Sequence, residues 1–211
     1  MPLPQHSSNG AAAVGSGLTQ PGLLSSASLL GASELRSGAP AGAPATALKK
    51  CSKKIILLGH FGVGKSSLVK RFVHSMFSSD YQTTIGVKID KKVLLTPTHE
   101  MKMLLWDIEG APDQTRLPRS YFMGAHGILY VCDVTRPATY ERLDEAIPQL
   151  HEKSPGAALV VLGNKTDLVG DQQIDDLTAA HPDRFDFLCS AGTGVNVESA
   201  FETLAHKILA R

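Results

Sequence analysis

From Lys53 onward the chain alternates between two hydrophobic patterns. KKIILLG, GILYVCD, AALVVLGN and FDFLCS are short apolar runs bounded by Gly, Asp, Asn or Ser. Such runs fit strands buried on both faces of a sheet. Between them apolar positions recur at three- and four-residue spacing. Leu68, Phe72, Val73 and Phe77 follow the GVGKSS segment, and Pro137 to His151, IDDLTAAH and VESAFETLAHKIL come later. That period predicts helices with one apolar face. Pro137 suits a first helical turn, whereas Pro148 is expected to end or kink its helix. VKIDKKVLL and MKMLLWD are two more strand patterns, and TPTHE between them suits a hairpin turn. Strands alternating with helices predict an α/β fold. The expected architecture is three-layered, α/β/α, with a mostly parallel six-stranded sheet and one antiparallel edge strand.

The first fifty residues lack these patterns. Ala, Gly, Ser and Pro dominate; Glu34 and Arg36 are the only charged side chains between Met1 and Leu48, where no aromatic occurs. Such a segment buries too little surface to offset its chain entropy. Residues 1–50 are therefore expected to be a disordered, low-complexity extension and 51–211 the folded domain. Leu23, Leu24, Leu29, Leu30 and Leu35 could form one short helix. The extension reads as a flexible tail, with a partner-binding or localising arm as the alternative. No basic cluster precedes its apolar part, so it fits a secretory signal poorly. Lys49, Lys50, Lys53 and Lys54 could touch an anionic surface weakly, or form the solvated edge of the first strand.

Composition narrows the class. A chain of 211 residues, 43% hydrophobic, has material for one core and a tail. A net charge of +1 removes the electrostatic case for a nucleic-acid binder. No apolar run approaches the ~18–20 residues of a membrane span. Cys51, Cys132 and Cys189 are odd in number and far apart, so free thiols in a reducing, cytoplasmic compartment are expected. No cysteine lies near the C-terminus, which argues against prenylation there, and Pro2 argues against myristoylation.

Candidate chemistry sits at the predicted strand ends. Gly59-His60-Phe61-Gly62-Val63-Gly64-Lys65-Ser66 fits G-x-x-x-x-G-K-[ST] between a strand and a helix, and Ser67 follows on the same helix start. The glycines let backbone amides wrap a phosphate, and the helix N-terminus points at the anion. Lys65 can reach the β- and γ-phosphates, and the Ser66 hydroxyl can bind Mg²⁺. Asn164-Lys165-Thr166-Asp167 follows another buried strand, where α/β folds bind ligands. The Asp167 carboxylate can accept two hydrogen bonds from the N1–H and exocyclic amine of guanine. Adenine would leave it unpaired, a difference of the kind that discriminates strongly. Asp107 ends the strand MKMLLW, where a carboxylate can hold Mg²⁺ through water, and Gly110 can offer its amide to a γ-phosphate. Ser190 and Ala191 follow the last strand, where an amide could meet the guanine O6; Gly192 is next.

Taken together, the phosphate loop, YQTTIGV, WDxxG, NKTD and SA stand in one order at suitable distances. The chain from about Lys53 to Arg211 resembles the Ras superfamily of small GTPases, nearest the Rab-like branch, in YFMGAHGILYVCDVT and NVESAFETLAHKI. FGVGKSSLVKRFV and WDIEG are similar to Rab-like GTPases of bacteria. The resemblance implies a P-loop fold and a switch that binds GTP or GDP and hydrolyses GTP with Mg²⁺. It implies that Ser66, Thr84 and Asp107 hold the metal, with Thr83 the alternative to Thr84. It assigns the phosphates to Lys65 and the loop, the γ-phosphate to Thr84 and Gly110, and guanine to Asn164, Lys165, Asp167 and Ala191. Effector, exchange and activating proteins would read the switch regions near 75–88 and 109–123 of a monomer.

The sequence also departs from that pattern. Ala111 stands where the family has the glutamine that orients water, and Gln114 is three residues away. Glu109 puts a negative charge near the γ-phosphate. Pro112 and Pro118 restrict the second switch. Phe61 is bulky enough to obstruct a partner's arginine; Arg116 and Arg119 could supply one in cis, or be exposed charges. Gly192 replaces the lysine common after Ser-Ala. Ile89, Trp106 and Tyr121 match the surface triad read by Rab partners, with Ile89 in place of Phe. These departures predict slow hydrolysis. The alternative is a GTP- or GDP-binding interaction module without useful hydrolysis, and a third reading, a P-loop kinase or ATPase, is opposed by NKTD.

Overall fold

In the computed structural model, described for residues 47–77, 84–111 and 116–211, the alternating patterns become a six-stranded sheet flanked by helices. The strands are β1 (Lys49–Leu58), β2 (Val87–Leu95), β3 (His99–Ile108), β4 (Ala125–Asp133), β5 (Ala158–Asn164) and β6 (Phe187–Leu188). The helices are α1 (Lys65–His74), α2 (Arg119–Phe122), α3 (Leu143–Lys153), α4 (Asp171–Ala180) and α5 (Val197–Leu209). The sheet order is β2-β3-β1-β4-β5-β6. Only the β2–β3 hairpin is antiparallel, so the expected edge strand is β2. These residues lie in the unit Thr46–Arg211. None of their helices is long and apolar enough to cross a membrane.

The unbroken apolar runs divide between two cores. In β1, Ile55 and Leu57 join α1 and α5 on one face, and Ile56 and Leu58 face the cluster of Phe122, Leu143 and Leu150 on the other. A strand buried on both faces needs apolar residues at consecutive positions. The α1 and α5 stripes meet through Phe72 and Phe201, stacked with centroids 3.9 Å apart. Cys132 and Cys189 are fully buried, and burial pushes both thiols up, Cys189 to about 12.

Four elements differ from the expected ones. β1 begins at Lys49, inside the stretch read as extension. Helix α1 stops at His74, because Ser75 adopts a left-handed φ of 54° and caps Arg71 O, so Phe77 lies outside it. Pro148 does not end α3, which runs on to Lys153. Pro148 and Asp144, whose carbonyl loses its helical partner, are both exposed, so the carbonyl is open to water. Finally, β6 is two residues long, because the Asp186 carboxylate accepts the Val161 N–H at 2.8 Å where a longer strand would use backbone.

Candidate functional site

The carboxyl ends of β1, β3 and β5 open into a cavity of about 380 Å³. The loop after β1, the expected phosphate loop, forms one end of it. Gly59 has φ 140°, and a Cβ there would lie 2.1 Å from Val131 O, so only glycine fits. Gly62 and Gly64 also have positive φ, and Val63 is buried in the core beneath them. Lys65 is 6% exposed and donates to Gly59 O at 3.0 Å and His60 O at 3.1 Å. Burial lowers its pKa to about 8, against the opposing fields of Asp107 and Glu109. An ammonium whose hydrogen bonds, among the described residues, go to two carbonyl oxygens suits an added anion.

Beside it is a corner built from oxygens. The Ser66 hydroxyl donates to Asp107 Oδ2 and lies 2.8 Å from Thr84 Oγ1, which is 3.4 Å from the same carboxylate oxygen. Asp107 is 1% exposed, its Oδ1 has no hydrogen-bond partner among the described residues, and burial raises its pKa. Two hydroxyls and one carboxylate, itself with an unpartnered oxygen, are a donor set for a hard divalent cation such as Mg²⁺. Thr84, rather than Thr83, is the threonine seen here; Thr83 lies outside the described residues.

The second-switch residues approach this corner from β3. A Cβ on Gly110 would lie 2.5 Å from Phe61 Cα, so its backbone packs directly against the phosphate loop. Glu109 Oε2 accepts the Gly86 N–H at 3.1 Å, and Glu109 N–H returns a bond to Gly86 O at 2.8 Å. Its carboxylate thus ties together the two segments expected to switch. Ala111 brings only a methyl side chain, and Phe61 is 49% exposed at the rim. Arg116 and Arg119 are exposed. Pro112 and Gln114 lie outside the described residues. Ile89 pairs with Trp106 across β2–β3, while Trp106 and Tyr121 are half-buried against the core.

At the far end, Asn164 is a strut behind the cavity. Its Nδ2 donates to Val63 O at 2.8 Å and its Oδ1 accepts Ala191 N–H at 3.0 Å. It thereby joins the phosphate loop to the Ser-Ala turn. Asp167 is exposed to the cavity and accepts the Ser190 hydroxyl. Its Oδ2 is the atom nearest a Cβ placed on Gly192, at 3.1 Å, so a side chain there would crowd it. Lys165, at φ 72°, turns its ammonium to Asp133 Oδ2 at 2.6 Å.

Four participants were not read from the sequence. Asp133 is 1% exposed by side chain and accepts Arg136 Nε at 2.8 Å as well as Lys165. Burial alone would raise its pKa, but bonds from Lys165 and Thr135 hold it below the usual carboxylate range. Arg136 Nη2 also donates to Phe61 O at 3.0 Å. Arg71 of α1 donates to Ala191 O at 2.9 Å and to Gly192 O, clamping the turn. Phe77, expected on the α1 core stripe, instead lines the cavity, half exposed, with Arg71 over its ring.

The Ras family model matches residues 54–210. The mouse Ras-related protein Rab-7b is 33% identical over 170 residues, covering 77% of this chain and 85% of that protein. The rabbit Ras-related protein Rab-25 is 35% identical over 163 residues, 75% of this chain and 76% of its own length. The rat Ras-related protein Rab-13 is 34% identical over 162 residues, 74% and 79% respectively.

Proposed function

The chain belongs to the Ras family, as a Rab-like small GTPase, and from that premise we propose a GTP-dependent switch whose own hydrolysis of GTP is slow. One observation carries the nucleotide reading: buried Lys65, bonded to the Gly59 and His60 carbonyls, stands beside an oxygen corner whose Asp107 Oδ1 has no partner among the described residues. A phosphate and a divalent cation together satisfy both groups.

In this reading Ser66, Thr84 and Asp107 hold Mg²⁺, which neutralises phosphate charge when bound. The amides of residues 59–67 and the Lys65 ammonium hold the phosphates, and Thr84 and Gly110 meet the γ-phosphate. Asp167, Lys165 and the Ala191 amide take guanine, with Phe77 offering a ring face to the base. Asn164 acts on the base only through the loops it joins. Hydrolysis proceeds without a covalent intermediate, by positioning and electrostatics. Ala111 orients no water through its side chain, and Phe61 narrows the approach of a partner's arginine.

Effector, exchange and activating proteins would act on 75–88 and 109–123 of a cytoplasmic monomer. The same Ala111 and Phe61 favour a second reading, a GTP- or GDP-binding interaction module without useful hydrolysis. Single-turnover GTP hydrolysis with Mg²⁺, by the natural protein and Ala111→Gln, separates them. Slow switching predicts a rate well below the roughly 4 × 10⁻⁴ s⁻¹ of an ordinary unassisted small GTPase, and a faster variant. Brisk turnover by the natural protein overturns the slow reading. No turnover in either protein supports the module.

A further inference from the structure

Glu109 takes no part in the nucleotide contacts proposed above, yet its carboxylate is fixed beside them. Strands β2 and β3 pair in register as far as Val87 and Ile108. Beyond that rung the seam continues through Glu109. Its N–H donates to Gly86 O at 2.8 Å, and its Oε2 accepts the Gly86 N–H at 3.1 Å. An exposed glutamate held by nothing samples many rotamers and spreads its charge through solvent. Here the Gly86 amide pins the carboxylate at the end of β3. The next residue, Gly110, has its backbone against Phe61 and His60 of the phosphate loop.

The charges at this end of the cavity are not balanced. Burial lowers the pKa of Lys65, and the fields of Asp107 and then Glu109 oppose it, so one buried ammonium faces two carboxylates. Asp107 belongs to the oxygen corner that suits a divalent cation, with the Ser66 and Thr84 hydroxyls. Glu109 has no such prospect: among the described residues its carboxylate bonds to a backbone amide and to no cation. Other nearby cations are engaged elsewhere. Lys88 lies 2.9 Å from Asp90, and Arg136 and Lys165 share Asp133. Lys70 lines the cavity from the second turn of α1, and Arg116 and Arg119 are exposed.

We propose that Glu109 is a specificity-determining residue whose fixed negative charge weakens binding of the triphosphate relative to the diphosphate. The inference rests on the nucleotide reading, which puts the γ-phosphate at Thr84 and Gly110. A triphosphate brings added negative charge to that position, beside the pinned carboxylate, and a diphosphate has no group there. Like charges brought together cost binding energy, and a site can reject a ligand by that means alone. Because the carboxylate is exposed, solvent and salt screen it, and the discrimination is modest.

Fluorescent GDP and a fluorescent non-hydrolysable GTP analogue, each titrated with Mg²⁺ into the full chain, test this. Glu109→Gln removes the charge and keeps an acceptor for Gly86, whereas Glu109→Ala removes both. In each variant the GTP analogue should bind about fivefold tighter, with GDP affinity changed less than about twofold. Raising salt from about 0.1 M to about 1 M shortens the screening length from roughly 10 Å to roughly 3 Å. The gap between the two nucleotides should then narrow more in the natural protein than in Glu109→Gln, which a merely structural role would not produce. Thermal unfolding, expected to be unchanged in Glu109→Gln, reports on the fold separately. Equal shifts for both nucleotides in Glu109→Gln, or a GTP-analogue affinity that does not rise, would overturn the proposal. So would an effect confined to Glu109→Ala, which would make the Gly86 tie the cause. Failure of the natural protein to bind GDP would instead sink the nucleotide reading, and this inference with it.

Discussion

Asp133 shows how one buried side chain can organise a site it does not line. Its Oδ2 collects Lys165 from the base loop and Arg136, which also reaches the Phe61 carbonyl of the phosphate loop. Its Oδ1 takes the Thr135 backbone and hydroxyl. Asp133→Asn removes the charge that both cations share. With the cations partly solvated, a loss of about 2 kcal/mol is expected in denaturant unfolding, together with faster GDP release. A stable variant with unchanged release would show that Lys165 holds its place unaided. The pH dependence has a definite sign. Because the folded-state pKa lies below the ordinary 3.8, the stabilisation is fully present above that pH and is lost as the pH falls further. The asparagine variant should therefore show a shallower loss of stability in acid.

Among the elements, α1 and α5 depend on each other through the stacked Phe72 and Phe201 rings. Phe201→Ala should cost about 3–5 kcal/mol in chemical unfolding, because the cavity would sit between two helices and the sheet. Gly110→Ala tests the junction of β3 with the second switch. A methyl group cannot coexist with the Phe61 backbone, so the segment must move off the phosphate loop. Binding of a GTP analogue should weaken by about tenfold, or about 1.4 kcal/mol, with GDP binding much less affected. Equal losses for both nucleotides would mean that the loop itself has been distorted. The strands, α5 and the phosphate loop were legible because their signals are local: unbroken apolar runs, a period of 3.6, and glycines at fixed spacing. Arg71, Asp133 and the strut role of Asn164 were not, since each depends on a partner or a geometry that only the folded chain creates. Phe77 was misplaced because Ser75, with neither Gly nor Pro to announce it, turns left-handed and stops α1.

At the scale of the molecule, the proposed guanine selectivity and metal dependence would be properties of the whole cavity rim. ATP in large excess should fail to displace bound GDP, because the exposed Asp167 carboxylate meets no donors on adenine at those positions. Displacement by ATP would remove the guanine assignment. Stripping divalent cations with a chelator should speed GDP release, since the buried Asp107 and the phosphates would then face one another without a counter-charge. The two ends of the cavity differ in how they are held. Asn164 and Arg71 bolt the phosphate loop, the base loop and the Ser-Ala turn into one rigid frame through protein contacts alone. A frame tied by its own hydrogen bonds leaves little ordering to complete when a nucleotide binds. Refilling is then a matter of encounter, so release of the old nucleotide, rather than capture of the new one, would set the pace of exchange.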